Sequence, residues 1–82
     1  DNRLEAETLK NFVNKYNLKD KKVLEIGCGR GAFQDLVEDW TGVDIASTLK
    51  SFIKKTFYEA EAESLPFKDE TFDAIWTITV LE

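Results

Sequence analysis

The chain has 82 residues, a formal net charge of −5, 43% apolar and 12% aromatic residues, one cysteine and no histidine. That is at most one small globular domain, and its acidic balance argues against a nucleic-acid binder held mainly by phosphate contacts. One cysteine forms no internal disulfide, no apolar stretch is long enough to span a membrane, and without histidine no Cys-His pair, Ser-His pair or His-containing metal site is available.

Leu4, Leu9, Phe12, Val13 and Tyr16 recur at helical spacing, so Leu4 to Tyr16 is predicted to be an amphipathic helix. After the polar run NLKDKK, Val23 to Ile26 reads as a short buried strand that enters a glycine-rich turn. Phe33, Leu36 and Val37 predict a helix of two or three turns beyond it. Thr41 to Ile45 reads as a second strand with an acidic residue near its end. Ser47 or Thr48 is placed to cap a further helix whose apolar face carries Leu49, Phe52 and Ile53. A third strand is expected near Phe57 to Ala60. Leu65-Pro66-Phe67 breaks the pattern, Lys68 to Glu70 reads as an exposed turn, and Phe72 to Leu81 is the strongest strand, apolar on both faces. Alternating helices and strands imply an α/β fold with a parallel sheet and right-handed crossovers.

The chemistry concentrates at VLEIGCGRGAF, Val23 to Phe33. Gly27, Gly29 and Gly31 let the backbone turn sharply and approach a ligand, and a strand-turn-helix setting makes such a motif credible. Gly27, Gly29 and Ala32 also satisfy the dinucleotide pattern G-x-G-x-x-A. Glu25 argues against pyrophosphate, because like charges in a poorly screened crevice are costly. A ligand with an ammonium and a sulfonium, such as S-adenosylmethionine, is favoured by the same carboxylate. Asp44, at the end of the second strand, is placed to accept hydrogen bonds from ribose hydroxyls, a role shared by NAD sites.

These segments resemble the class I S-adenosylmethionine-dependent methyltransferases, particularly those acting on small molecules. VLEIGCGRGAF looks like their first motif, E/D-x-G-x-G-x-G, with Glu25, Gly27, Gly29 and Gly31 at its fixed positions. GVDIA, Gly42 to Ala46, looks like the second, and EAESLPFKDETFDAIWTITVLE, Glu61 to Glu82, is similar to their D-A-x-x-L-P-F-x-D-x-S-F-D segment. The resemblance implies a Rossmann-like parallel sheet with flanking helices, truncated to about four strands. Residues 1–22 form a leading helix and connection, and 23–82 carry the cofactor-binding motifs of the N-terminal part of the domain. It implies cofactor contacts at Glu25, Gly27 and Gly29 at the methionine end and at Cys28 and Gly31 in the same turn. Asp44 falls at the ribose, Ile45 on the adenine face, Glu61 and Ala62 at the adenine edge, and Thr77 near the methionine end. Glu61 stands where the family normally has aspartate, and Thr71 where it has serine.

Simpler roles stand beside these. Gly27 and Gly31 serve tight packing in one reading, and Asp44 caps a strand end or helix in another. Cys28 fits the turn as a small side chain, and Trp40 and Trp76 read as core. Glu25, a carboxylate in a buried strand, needs a partner, and none is obvious nearby. The implied activity is methyl transfer to a small-molecule acceptor, with no catalytic base assigned. A cofactor-binding fragment without turnover, half of an NAD-dependent oxidoreductase and a non-catalytic interaction domain stay open. The location expected is cytoplasmic, with no nucleic-acid or membrane partner, and the edge of the last strand is expected to favour self-association.

Overall fold

The structure is a computed structural model that describes residues 2–61, 64, 65 and 71–77. It opens with helix α1, Asn2–Lys15, close to the predicted span. Leu9 and Val13 turn inward and are buried. The helix stops because Asn17 takes a left-handed conformation (φ 56), which places Asn17 N–H on Asn14 O (3.3 Å) and Leu18 N–H on Val13 O (2.9 Å). Those two bonds satisfy carbonyls that the last turn leaves open, and buried Leu18 seals the end against the core.

Four strands follow among the described residues: β1 (Lys22–Ile26), β2 (Asp39–Asp44), β3 (Thr56–Glu59) and β4 (Ala74–Thr77). All pairings are parallel and the order is β3-β2-β1-β4. The predicted boundaries shift by one or two residues. Lys22 joins β1, Asp39 and Trp40 join β2 and Ile45 leaves it, β3 begins at Thr56 and ends before Ala60, and β4 begins at Ala74, so Phe72 and Asp73 precede it. Residues 78–81 of the predicted last strand, Pro66 and Phe67 of the predicted break, and Lys68 to Glu70 of the predicted turn lie outside the described residues.

The two crossover helices are corrected. Where they were expected, the chain makes single 3-10 turns, Gln34–Leu36 and Lys50–Phe52, neither with a side-chain cap, so Ser47 and Thr48 do not start a helix. The first connection is too short to nucleate one: the glycine turn uses the stretch up to Phe33, and β2 begins at Asp39. Fixing a helical turn for a single hydrogen bond is unfavourable unless more turns follow. Side chains hold these connections instead. Gln34, itself buried, donates from Nε2 to Phe52 O (3.1 Å) and accepts Lys54 N–H on Oε1 (2.8 Å). Lys55 Nζ donates to Gln34 O and Val37 O, both at 2.7 Å.

The main core lies on one sheet face, where Val23, Trp40 and Trp76 pack with Leu9, Val13 and Val37. Leu24 and Val43, on the other face, are also buried, whereas Ile75 beside them on β4 is 57% exposed. Among the described residues, therefore, β4 has one packed face and not the two that its apolar sequence suggested. No described helix is long and apolar enough to cross a membrane.

Candidate functional site

Because all four strands are parallel, their C-terminal ends share one edge of the sheet, the edge at which open α/β sheets bind ligands. The glycine turn leaves β1 there and is pinned to β2: Gly27 N–H and Cys28 N–H both donate to Val43 O, at 2.7 and 3.1 Å. Gly27, Gly29 and Gly31 have φ of 76, 55 and 77, a region that side chains other than glycine rarely adopt. Their surroundings separate two of them. A Cβ on Gly31 would lie 2.8 Å from Ile53 Cγ1, so Gly31 serves close packing, whereas a Cβ on Gly29 would meet nothing within 4 Å. Gly29 faces open space.

Asp44 ends β2 beside Gly29. Its Oδ2 accepts Gly29 N–H (2.8 Å) and its Oδ1 accepts Ala46 N–H (3.0 Å). The carboxylate thus ties the turn to the β2 end, and each oxygen keeps a further lone pair for another donor. Next to it, Ile45, Glu59, Ala60 and Glu61 line an open cavity of about 230 Å³. Ile45 is 67% exposed. Ala60 N–H donates to Asp44 O (3.1 Å), which sets the loop after β3 against the β2 end. Thr77 stands on the far side of β1, its hydroxyl donating to Ile26 O (3.1 Å). The structure therefore gathers Gly29, Asp44, Ile45 and Glu61 at one end of the crevice and Thr77 at the other. Ala62 lies outside the described residues.

Glu25 differs from the expectation of a carboxylate at the mouth of the turn without a partner. It is 1% exposed and lies on the packed sheet face. Its Oε1 accepts two indole N–H groups, from Trp40 (3.1 Å) and Trp76 (2.9 Å). Register explains the geometry. Gly42 on β2 and Trp76 on β4 both stand opposite Glu25, while Trp40 stands opposite Val23, two residues earlier on the same face. The Trp40 ring runs along β2 over Gly42, where a Cβ would collide with the indole and lie 2.7 Å from Cys28 Sγ. Gly42 is a packing glycine that sequence reasoning took only as part of a motif. The signal was present as W-x-G, a large ring two residues before a residue with no side chain.

Burial pushes the Glu25 carboxyl above its ordinary value of 4.5, and the two indole bonds oppose that rise. The thiol of Cys28 is pushed up to about 12, first by burial, then by the negative charges of Glu25 and Asp44. It stays protonated at neutral pH, so Cys28 is a fitted side chain and not a nucleophile. No group of three or more potential ligands that could hold a metal ion occurs among the described residues.

The dinucleotide reading of Gly27, Gly29 and Ala32 loses its physical basis here. A pyrophosphate in that motif rests on a helix N-terminus, and this turn leads only into a three-residue 3-10 turn. Comparison with known proteins goes the same way. A family model described as a methyltransferase domain matches residues 24–82. The chain is 46% identical over 78 residues to an uncharacterized protein of Methanocaldococcus jannaschii, MJ0638, an alignment that covers 90% of this chain and 33% of that protein. It is 27% identical over 90 residues to the fatty-acid O-methyltransferase of Mycolicibacterium smegmatis, covering 94% of this chain and 33% of the relative. In the crystal structure of the PH0226 protein from Pyrococcus horikoshii OT3, 41% of the chain matches 89% of this one, with a TM-score of 0.73 and 34% identity. The chain thus spans only a third, 33%, of each of the two curated relatives.

Proposed function

The chain belongs to the methyltransferase domain family, and we propose that it forms the S-adenosylmethionine-binding part of a methyltransferase that acts on a small-molecule acceptor. The observation that carries this reading is the Asp44 carboxylate, fastened to Gly29 N–H and Ala46 N–H with lone pairs to spare. A ribose presents two adjacent hydroxyl donors, which suits a carboxylate held in place by backbone. The open side of Gly29 lets a ligand approach the main chain, and exposed Ile45 offers an apolar surface to a purine ring. Glu61 and, by family position, Ala62 fall at the adenine edge.

Bound there, S-adenosylmethionine supplies a methyl group already activated on a sulfonium. The chain's own task is then to bind and orient. Asp44 fixes the ribose end and the glycine turn fixes the methionine end, and an ionised Glu25 beneath that turn would favour a cation. Neither Glu25, covered by two indoles, nor the protonated Cys28 thiol is placed to take a proton from an acceptor. The fatty-acid O-methyltransferase relative supports an acceptor with an oxygen nucleophile. A buried free thiol suits a reducing cytoplasm.

Calorimetric titration of the purified protein with S-adenosylhomocysteine and with NAD tests the reading. Binding of the first and not the second is the expected result. Binding of NAD with no response to S-adenosylhomocysteine would overturn it.

A further inference from the structure

Both tryptophans of the chain donate to one oxygen of one buried carboxylate. They come from β2 and β4, the strands on either side of β1, and Gly42 is left without a side chain so that one of the rings can pass. Packing alone does not need this arrangement. An indole N–H is a donor only, so each bond favours the ionised form of its acceptor over the neutral acid. Burial acts the other way, and with the two indoles it sets the ionisation of Glu25. The neighbouring ionisable groups are the Cys28 thiol from the turn and the Asp44 carboxylate on the same face of β2, and the charges of Glu25 and Asp44 both act on that thiol. From α1 the same cluster receives the apolar Leu9 and Val13.

Resting on the reading of the site as one for S-adenosylmethionine, we propose that Trp40 and Trp76 are positioning residues for the cofactor. Their two N–H groups hold the Glu25 carboxylate charged and fixed beneath the glycine turn, and that charge gives the crevice its preference for a cationic ligand. Neither indole touches the ligand. Each acts through Glu25.

The test compares S-adenosylmethionine with methylthioadenosine, which keeps the nucleoside and the thioether but lacks the sulfonium and the charged amino-acid end. Affinities are measured by calorimetry across a pH series for the purified protein and its Trp40→Phe and Trp76→Phe variants. Each variant keeps an aromatic ring and loses one donor. The expected result is a loss of preference for S-adenosylmethionine in each variant across the pH range in which Glu25 ionises, because losing one donor favours the neutral acid. Methylthioadenosine affinity stays the same, and the preference of each variant fades at a higher pH than in the parent protein. Equal weakening of both ligands, as a merely structural role produces, overturns the proposal, and so does an unchanged preference. A parent protein that binds neither ligand refutes the cofactor reading itself. A second measurement needs no ligand and no tryptophan variant. Tryptophan emission of the parent protein should show a step as Glu25 takes up its proton, and Glu25→Gln should abolish it with the circular dichroism spectrum unchanged. Emission that is flat in the parent, or steps identically in both, overturns the shared bond.

Discussion

Gly42→Ala tests the packing behind the site, because the added methyl would occupy space that the Trp40 indole fills and would stand 2.7 Å from Cys28 Sγ. The sulfur and the ring cannot both retreat easily, since Trp40 is 1% exposed and Cys28 6% exposed. Forcing extra volume into such a site costs about 1–3 kcal/mol. If the ring swings away, its 3.1 Å bond to Glu25 is lost as well, and a hydrogen bond to a charged group contributes about 1.5–3 kcal/mol. The combined loss is about 2.5–6 kcal/mol, against a total stability of about 4–12 kcal/mol for a chain of this length. Urea unfolding followed by circular dichroism measures it, with a melting point lowered by about 10 °C or more as the thermal counterpart. The clash should be relieved by shortening the ring, so Trp40→Phe combined with Gly42→Ala should cost less than the sum of the two single changes. A cost of Gly42→Ala below about 0.5 kcal/mol, or strict additivity with Trp40→Phe, would refute the placement of the indole over Gly42.

Asp44→Ala should weaken S-adenosylhomocysteine at least about tenfold, since two charged hydrogen bonds are lost; unchanged affinity in a folded variant removes Asp44 from the site. For Glu25 the folded pKa lies above the unfolded value, so its protonated form stabilises the fold fully below 4.5 and that stabilisation disappears as pH rises through the raised folded value. The unfolding free energy of the parent protein relative to Glu25→Gln should therefore rise as pH falls toward 4.5, and urea titrations showing the opposite slope would contradict the burial of the carboxylate. Cys28, buried and protonated up to about 12, should be alkylated by iodoacetamide at neutral pH far more slowly in the native protein than in urea, as followed by mass spectrometry; equal rates would place the thiol at the surface. Lys55→Met removes both bonds from Nζ to the Gln34 and Val37 carbonyls and should cost about 1.5–3 kcal/mol, with faster amide exchange around the first 3-10 turn; unchanged stability and exchange would show that the clip is not needed.

Much of the site could be read directly because its parts are local. A strand running into Gly27, Gly29 and Gly31 needs only backbone geometry, and positive φ at all three confirms the turn. Asp44 was legible because a carboxylate at a strand end falls at the binding edge of any parallel sheet. The leading helix followed from apolar spacing, and the polar run NLKDKK marked its end, whereas the left-handed turn at Asn17 that stops it came only with the structure.

Helical spacing misled where connection length ruled. Phe33, Leu36 and Val37 have the right intervals, yet the chain turns back into β2 too soon for a helix to propagate, and the bonds of Gln34 and Lys55 that replace it reach 18–21 residues along the chain. Glu25 shows the same limit more sharply. Its need for a partner was visible in the residue type, but the two indoles that meet it lie 15 and 51 residues away. Only the parallel register, which sets Gly42 and Trp76 opposite Glu25 and leaves room for Trp40 between, brings them together. Spacing along the chain determines what a segment does with its own backbone. Which side chain satisfies a buried charge is decided by strand order and register, because those are set by contacts between segments that the sequence holds far apart.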